Sequence, residues 1–127
     1  MERVNNMIYA RKDIVFADKF VYPKGKPGLK HYFVIIDAND SEFSVIPLEY
    51  VSMLISSQTH KNNDVNENYP YNEPISDNEQ HNLPKASHVK TDEMITLKAE
   101  NISRKVGTVT DEEYNTYLRL FLKSMEE

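Results

Sequence analysis

The fold is decided by two neighbouring stretches of sequence, LPKASHVKTDEMITL at residues 83–97 and VGTVTDEEY at residues 106–114. The first contains Ser87–Thr91 and Met94–Leu97, which predict two short strands or a single bent one. The second ends in a capping box, because the Thr110 hydroxyl and the Glu113 carboxylate are spaced to satisfy backbone N–H groups reciprocally. A C-terminal helix is therefore expected at about residues 111–125.

Apolar side chains recur at helical spacing along that helix, which predicts that one stripe of it packs on a sheet as core. The stripe consists of Tyr114, Tyr117, Leu118, Phe121, Leu122 and Met125. The sheet itself is expected from short β-branched and aromatic runs upstream, at Asp13–Ala17, Tyr32–Ile36, Glu42–Leu48 and Val51–Ser57. Between the first two runs, Phe20–Lys30 contains two glycines and two prolines, which predicts a long loop and not a tight hairpin.

Residues 58–82 are polar, and five acids without any Lys or Arg occupy positions 62–82. This composition predicts an exposed excursion holding a weak strand near Tyr69–Ile75, with disorder as the alternative. Residues 9–31 are instead rich in Lys and Arg, although the net charge of the chain is −5. A basic rim on an acidic protein and an ordinary solvated loop both fit that distribution.

The composition also limits the classes of protein that the chain can belong to. Its 127 residues predict one domain over residues 1–127. Cysteine is absent, which excludes disulfides and thiolate metal sites, and the histidines have no metal-ligand spacing, so neither a metal nor a cofactor is expected. The apolar runs are far shorter than the roughly 20 residues that span a bilayer, and Met1–Ala10 has no signal pattern. A cytoplasmic protein is expected.

The order of these segments resembles the PemK/MazF family of toxins. The pieces that carry the resemblance are Lys12–Val15 for the family's Gly-Asp-Ile-Val strand, Gly28–Ile35 for a basic loop and apolar strand, Ile55–Ser57 for an Ile-Thr-Ser turn, Leu83–Ser87 for a Leu-x-x-x-Ser element, and Lys105–Glu112 for the approach to the last helix. The resemblance implies a mainly β fold with α, namely a small antiparallel SH3-like (PemK-like) barrel plus the C-terminal helix.

The resemblance also implies where RNA cleavage would occur. In catalytic members an Arg before Pro and the Thr of the Ile-Thr-Ser turn cleave single-stranded RNA, and the matching positions here are Lys30 and Ser56. Lysine keeps the positive charge but lacks the two-pronged geometry of arginine. A Gln-x-Arg pair that lines the RNA groove in the family matches Glu93 and Ile95, which replaces a cation with an apolar residue.

Such cleavage needs few protein groups, since the 2′-hydroxyl of the RNA attacks its own phosphorus. Proton transfer near neutral pH suits histidine, and His31 and His60 are the candidates because they adjoin Lys30 and follow Ser56. Side chains alternate along a strand, so His31 and Lys30 cannot both face the site if the strand has begun there. The remaining histidines, His81 and His88, are expected on the surface, and an ordinary surface role is the alternative for all four.

RNA contacts are expected from exposed cations and hydroxyls that surround these positions, namely Lys24, Lys26, Ser57, Lys61 and Ser87. The expected function is a metal-independent endoribonuclease toxin with single-stranded RNA as substrate, a small antitoxin protein as partner and a homodimer as assembly. The alternative is a non-catalytic module on the same barrel that binds nucleic acid or a protein, which the residues at 30, 93 and 95 favour.

Overall fold

The computed structural model describes residues 8–41, 44–57 and 70–126, and at 39–41 and 44–47 it describes the backbone alone. Seven strands and one helix make up this part of the chain, and antiparallel strands dominate it as expected. The strands are β1 Asp13–Val21, β2 Pro27–Ser41, β3 Ser44–Ser56, β4 Asn72–Ile75, β5 Ser87–Lys90, β6 Ile95–Lys98 and β7 Ile102–Thr108. A 3-10 turn, Ala99–Asn101, precedes β7, and the helix α1 is Asp111–Met125.

The strands form one sheet in the order β4-β5-β3-β2-β1-β7, and β6 also pairs with β3. Strand β3 therefore holds two partners on one edge, with Glu49–Ser52 along β6 and Ile55–Ser56 along β5. Within the described residues the sheet has not closed into a complete barrel, although β6 also contacts β1. The mainly β, PemK-like fold with a C-terminal helix is confirmed.

The prediction of a long loop at Phe20–Lys30 is wrong, because β1 and β2 form a hairpin whose last pair is Val21–Pro27. The turn is short and uses Gly25 at φ +92°, where a residue without Cβ is favoured. Gly28 has a different purpose, since a Cβ there would lie 2.3 Å from the Phe20 ring. These glycines permit a tight turn and a close aromatic contact, and they do not interrupt the strands.

The two strands expected at Glu42–Leu48 and Val51–Ser57 are one strand, β3. Pro47 lies between the pairs Ser41–Ser44 and Asn39–Glu49, where the register shifts, and a residue without an N–H is tolerated at such an irregularity. The weak strand expected near Tyr69–Ile75 is present in shorter form as β4, and residues 58–69 of the predicted excursion lie outside the described residues.

Strand β7 was not predicted, because the sequence there resembles an approach to the last helix. It pairs with β1 through two register shifts, which blur the alternation that would mark a strand. Its Gly107 is required by packing, since a Cβ there would lie 2.2 Å from the His81 carbonyl oxygen. This close approach joins β7 to the loop before β5.

Apolar side chains fill both faces of the sheet, so the strands alternate between two cores. The first core contains Tyr9, Val15, Ala17, Phe20, Phe33, Ile35, Tyr50, Leu54, Ile95, Leu97 and Ile102. The second lies under the helix and contains Ile14, Val34, Ile36, Met53, Ile55, Ile75, Leu83, Val89, Val109 and Tyr117.

Helix α1 begins with the predicted capping box, which is confirmed: Glu113 N–H donates to the Thr110 hydroxyl, and Thr110 N–H donates to the Glu113 carboxylate. Its apolar stripe is only partly core. Tyr117 is 1% exposed, but Leu122 and Met125 are 63% and 66% exposed. The stripe prediction is wrong for these last two residues, because the helix extends past the apolar face on which it packs.

Candidate functional site

Three residues from neighbouring strands share one line across the sheet, which we call the serine row: His31, Ser56 and His88. Ser56 on β3 pairs directly with His88 on β5. Strand β2 pairs Tyr32 with Ile55, so continuing that register by one residue places His31 beside Ser56. Directly opposed residues of antiparallel strands point to the same face. The serine row therefore brings two imidazoles beside the expected catalytic hydroxyl.

The neighbouring line, the lysine row, contains Lys30, Ser57 and Ser87. Continuing the same registers places Lys30 beside Ser57 and Ser57 beside Ser87. Since successive residues of a strand point to opposite faces, Ser87 lies on the other side of the sheet from His88. Lys30 and Ser57 are exposed, and Ser87 is buried with its hydroxyl donating to the Lys85 carbonyl at 3.0 Å.

Strand β2 begins at Pro27, but the alternation is interrupted at Lys30: on the paired strand β1, Ala17 and Phe20 are three residues apart and both lie in the first core. The register thus makes His31, and not Lys30, the β2 neighbour of Ser56. Lys30 has φ +33°, a left-handed value that is uncommon for a residue with a side chain. This distortion lies directly before His31 at the edge between the two faces, a kind of strain that concentrates at functional sites.

His31 is held in a defined orientation. Its Nδ1 lies 2.8 Å from the Leu29 carbonyl oxygen, and its ring meets Phe20 edge to face with centroids 5.6 Å apart. A carbonyl only accepts, so Nδ1 carries a proton in this contact. In the neutral tautomer that this contact favours, Nε2 of the half-buried ring can take a proton from a substrate.

The expectation that His81 lies on the surface is wrong, because it is 1% exposed. Its Nδ1 lies 2.8 Å from the Ser76 carbonyl oxygen, and its Nε2 lies 2.9 Å and 3.0 Å from the two Glu113 carboxylate oxygens. Asn78 accepts from the His81 backbone N–H at 2.8 Å. His81 therefore ties the loop before β5 to the first turn of α1.

Glu113 serves this contact and the capping box together. Burial raises the pKa of Glu113, but hydrogen bonds from His81 and from the Thr110 N–H outweigh it, so the pKa lies below its ordinary value. The carboxylate is held ionised against the imidazole. Tyr117, one turn further along α1, has its pKa raised by burial and then by Glu113, and it stays neutral.

The expectation that His88 lies on the surface is also wrong, since it is 7% exposed. A shallow cavity of about 620 Å³ adjoins it and is lined by Pro74, Ile75, Ser76, Ala86, Ser87, His88 and Glu113. The sequence around His88 gives no signal that this side chain is buried, because its burial depends on which strands pair with β5. His60 and Lys61 lie outside the described residues.

The hairpin between β1 and β2 carries Lys24 and Lys26, both exposed, at its tip. Beside it lies an apolar groove of about 570 Å³, whose lining includes Val21, Leu29 and Met94. Lys19 and Lys98 also line this groove, together with one carboxylate, Glu49. The groove thus presents apolar area and two cations.

Carboxylates lie close to both rows. The pairs that flank Asp18 and Lys30, Ala17–His31 and Lys19–Leu29, place the exposed Asp18 opposite Lys30. Glu73 pairs with Val89, and burial raises its pKa while Arg119 opposes that shift. Of the Gln-x-Arg match, Ile95 is 1% exposed in the first core, its carbonyl accepts from the Ser52 hydroxyl, and it adds apolar surface to the groove where the family has a cation.

Over residues 8–41, 44–57 and 70–126, no group of three or more His, Asp or Glu side chains is placed to hold a metal ion. No helix in that same part of the chain is long and apolar enough to cross a membrane.

Comparison with known proteins adds the family to this geometry. No curated protein sequence matches the chain. Among solved structures it is similar to an endoribonuclease in complex with its cognate antitoxin from a mycobacterial species, with a TM-score of 0.59 and 14% sequence identity over 97% of this chain and 96% of that one. At that identity the likeness shows the fold.

The model of the PemK-like, MazF-like toxins of type II toxin–antitoxin systems matches residues 10–124. Because this match covers nearly the whole chain, and the sheet and its C-terminal helix agree with it, the protein belongs to the PemK/MazF-like toxin family.

Proposed function

We propose that this protein is an endoribonuclease toxin that cleaves single-stranded RNA through attack of the RNA 2′-hydroxyl on the adjacent phosphorus, without a metal ion. The observation that supports the proposal is the serine row: Ser56 pairs with His88, and His31 and Ser56 are the residues next to the Tyr32–Ile55 pair. The nucleophile belongs to the substrate, so the protein has to position the backbone, move a proton and stabilise charge.

His31 acts as the base in this mechanism. Its Nδ1–H is engaged by the Leu29 carbonyl, which leaves Nε2 to accept the 2′-hydroxyl proton. The 2′ oxygen bonds to phosphorus as the bond to the 5′ oxygen breaks, giving a 2′,3′-cyclic phosphate on one fragment. The 5′ oxygen takes a proton from water and leaves as a 5′-hydroxyl on the other.

Ser56 and Lys30 stabilise the phosphoryl group. The Ser56 hydroxyl donates to a phosphoryl oxygen, and the Lys30 ammonium neutralises the charge that grows there from the neighbouring face of the sheet edge. Lys24 and Lys26 at the hairpin tip, together with Ser57 in the lysine row, contact the RNA backbone on either side. Ser87 and His60 have smaller roles in this mechanism. Ser87 is buried and pairs with β4, so it supports the lysine row from within the sheet.

The partners follow from the family and from two exposed surfaces. The related solved structure is a complex of an endoribonuclease with its antitoxin, and we propose a small antitoxin for this chain too. The apolar groove with Lys19 and Lys98 complements an acidic, apolar tail of such a protein. A homodimer is proposed through the helix end that exposes Leu122 and Met125.

A direct experiment is expression of the chain beside its Ser56→Ala and Lys30→Ala variants, with growth and RNA integrity followed together. Growth arrest with RNA fragments that end in a 5′-hydroxyl, lost in both variants, is the expected result. Normal growth and intact RNA from soluble, folded protein would contradict the proposal.

A second candidate is a non-catalytic module of the same family that binds nucleic acid or a protein. The burial of Ile95, at the position where catalytic members place a cation, favours it. Such a module would bind RNA or its partner while leaving RNA intact, so the same experiment separates the two functions.

A further inference from the structure

An exposed cation lies on an aromatic pair next to the lysine row. The Arg104 guanidinium carbon is 4.7 Å from the centroid of the Phe16 ring, and Phe16 meets Tyr32 with centroids 4.9 Å apart and ring planes inclined at 58°. Arg104 pairs with Phe16 across β7 and β1, and Phe16 pairs with Tyr32 across β1 and β2. The three side chains therefore stand side by side on one face of three strands.

This group, which we call the aromatic platform, is open to solvent. Arg104 is exposed, and Phe16 and Tyr32 are both half-buried. Tyr32 packs on its inner side against the second core, which fixes the ring from below. Because packing already holds these rings in place, binding of a flat ligand to them costs little conformational entropy.

The platform continues the lysine row. Lys30 and Tyr32 are two residues apart on β2, so their backbones lie within about 7 Å of each other. A ligand that places a phosphate at Lys30 can therefore place an adjoining flat group on the platform. Arg104 adds a second cation at the far end, and Asp18 is the carboxylate that opposes Lys30 in this register.

We propose that Arg104, Phe16 and Tyr32 bind one unpaired base of the single-stranded nucleic acid by stacking, with its backbone phosphate at Lys30. The proposal rests on the proposed function for its ligand. Bases splayed from a single strand stack on aromatic rings and on guanidinium planes, and this contact tolerates any base because each has a flat face. An aliphatic peptide segment would gain less here, since the exposed end of the platform is charged.

The test uses single-stranded DNA, which lacks the attacking 2′-hydroxyl and stays intact, with binding to the full chain measured by fluorescence anisotropy. Arg104→Ala and Phe16→Leu should each weaken binding about 5- to 150-fold, the range of one lost stacking contact. Arg104→Lys should lose most of that affinity as well, because the charge remains but the plane is gone. Lys123→Ala removes an exposed cation from α1 and serves as the matched control, with little change expected.

A scan with one abasic nucleotide at each position in turn separates stacking from misfolding. For the unmodified protein, removing the base at one position should weaken binding more than removing it elsewhere. In Arg104→Ala and Phe16→Leu this difference between positions should vanish. Equal affinity in all variants, or equal losses at every abasic position, would overturn the platform. RNA cleavage is measured in parallel, so a protein that cleaves RNA yet ignores the abasic scan refutes this inference alone, and one that cleaves nothing refutes the proposed function.

Discussion

The serine row and the lysine row are built from the same three strand ends, yet they offer opposite chemistry. One presents two imidazoles and a hydroxyl, and the other presents an ammonium and two hydroxyls. Because Ser87 and His88 lie on opposite faces of β5, a single phosphate is expected to meet both rows only at the strand ends that carry Ser56 and Lys30. The difference teaches that proton transfer and charge stabilisation are separable here, and substitutions can address them one at a time.

His31→Gln separates the two rows most clearly, because it removes the proposed base of the serine row alone. We expect RNA cleavage to fall about 100- to 10,000-fold, the usual contribution of a general base, while RNA binding is kept. Initial rates on a labelled RNA, with binding measured separately, show this effect.

His31→Ala provides the control for that result, because added imidazole should partly restore its cleavage. Unchanged rates in both variants would remove His31 from the mechanism and leave Lys30 as the functional residue of β2.

Substitution of Lys30 tests the other row. Lys30→Ala should lower cleavage about 100- to 1,000-fold without changing its pH dependence, since one charge-stabilising donor is lost. Lys30→Arg should raise activity, because a guanidinium grips a phosphate with two donors.

Lys30→Gly separates the backbone from the charge. Because φ is +33°, glycine fits this position better than alanine, and we expect the free energy of unfolding to be about 1 kcal/mol higher in the glycine variant than in the alanine variant. Both variants should cleave RNA equally poorly. Urea unfolding of the two variants measures the difference. Equal stability would show that the backbone relaxes there.

The His81–Glu113 contact lies outside both rows and should affect stability, because it ties the loop before β5 to the first turn of α1. His81→Leu should reduce the free energy of unfolding by about 1–3 kcal/mol, since the Ser76 carbonyl and Glu113 lose a partner. Cleavage per folded molecule should stay near that of the parent. Gln80→Leu, at the exposed neighbouring position, is the matched control and should change stability by less than about 0.5 kcal/mol.

The smallest expected effect is the dependence of stability on acid. The pKa of Glu113 is lowered in the folded protein, so its ionised form contributes stability above the unfolded value and loses it as pH falls through the folded pKa. His81 and Thr110 face this carboxylate, and Tyr117 stays neutral throughout. Between about pH 5 and pH 3, melting temperature should therefore fall less steeply in Glu113→Gln than in the parent. Parallel curves would show that other carboxylates dominate.

Several features followed from residues close together in the sequence. The capping box and the helix that it starts depend on contacts within a few residues, so local spacing predicts them. The family resemblance likewise placed attention on Lys30 and Ser56. Local signals failed where Gly and Pro served packing in a hairpin, and where register shifts concealed β7.

What the sequence by itself determined is the set of groups available for chemistry and the strand and helix segments that carry them. Tertiary structure decided which of those groups meet. His81 and Glu113 are 32 residues apart, and Ser56 meets His88 through a ladder that depends on register, so neither contact is encoded in neighbouring residues. A shift of one residue in that register would exchange the two rows between faces, and only the packing of both cores excludes it.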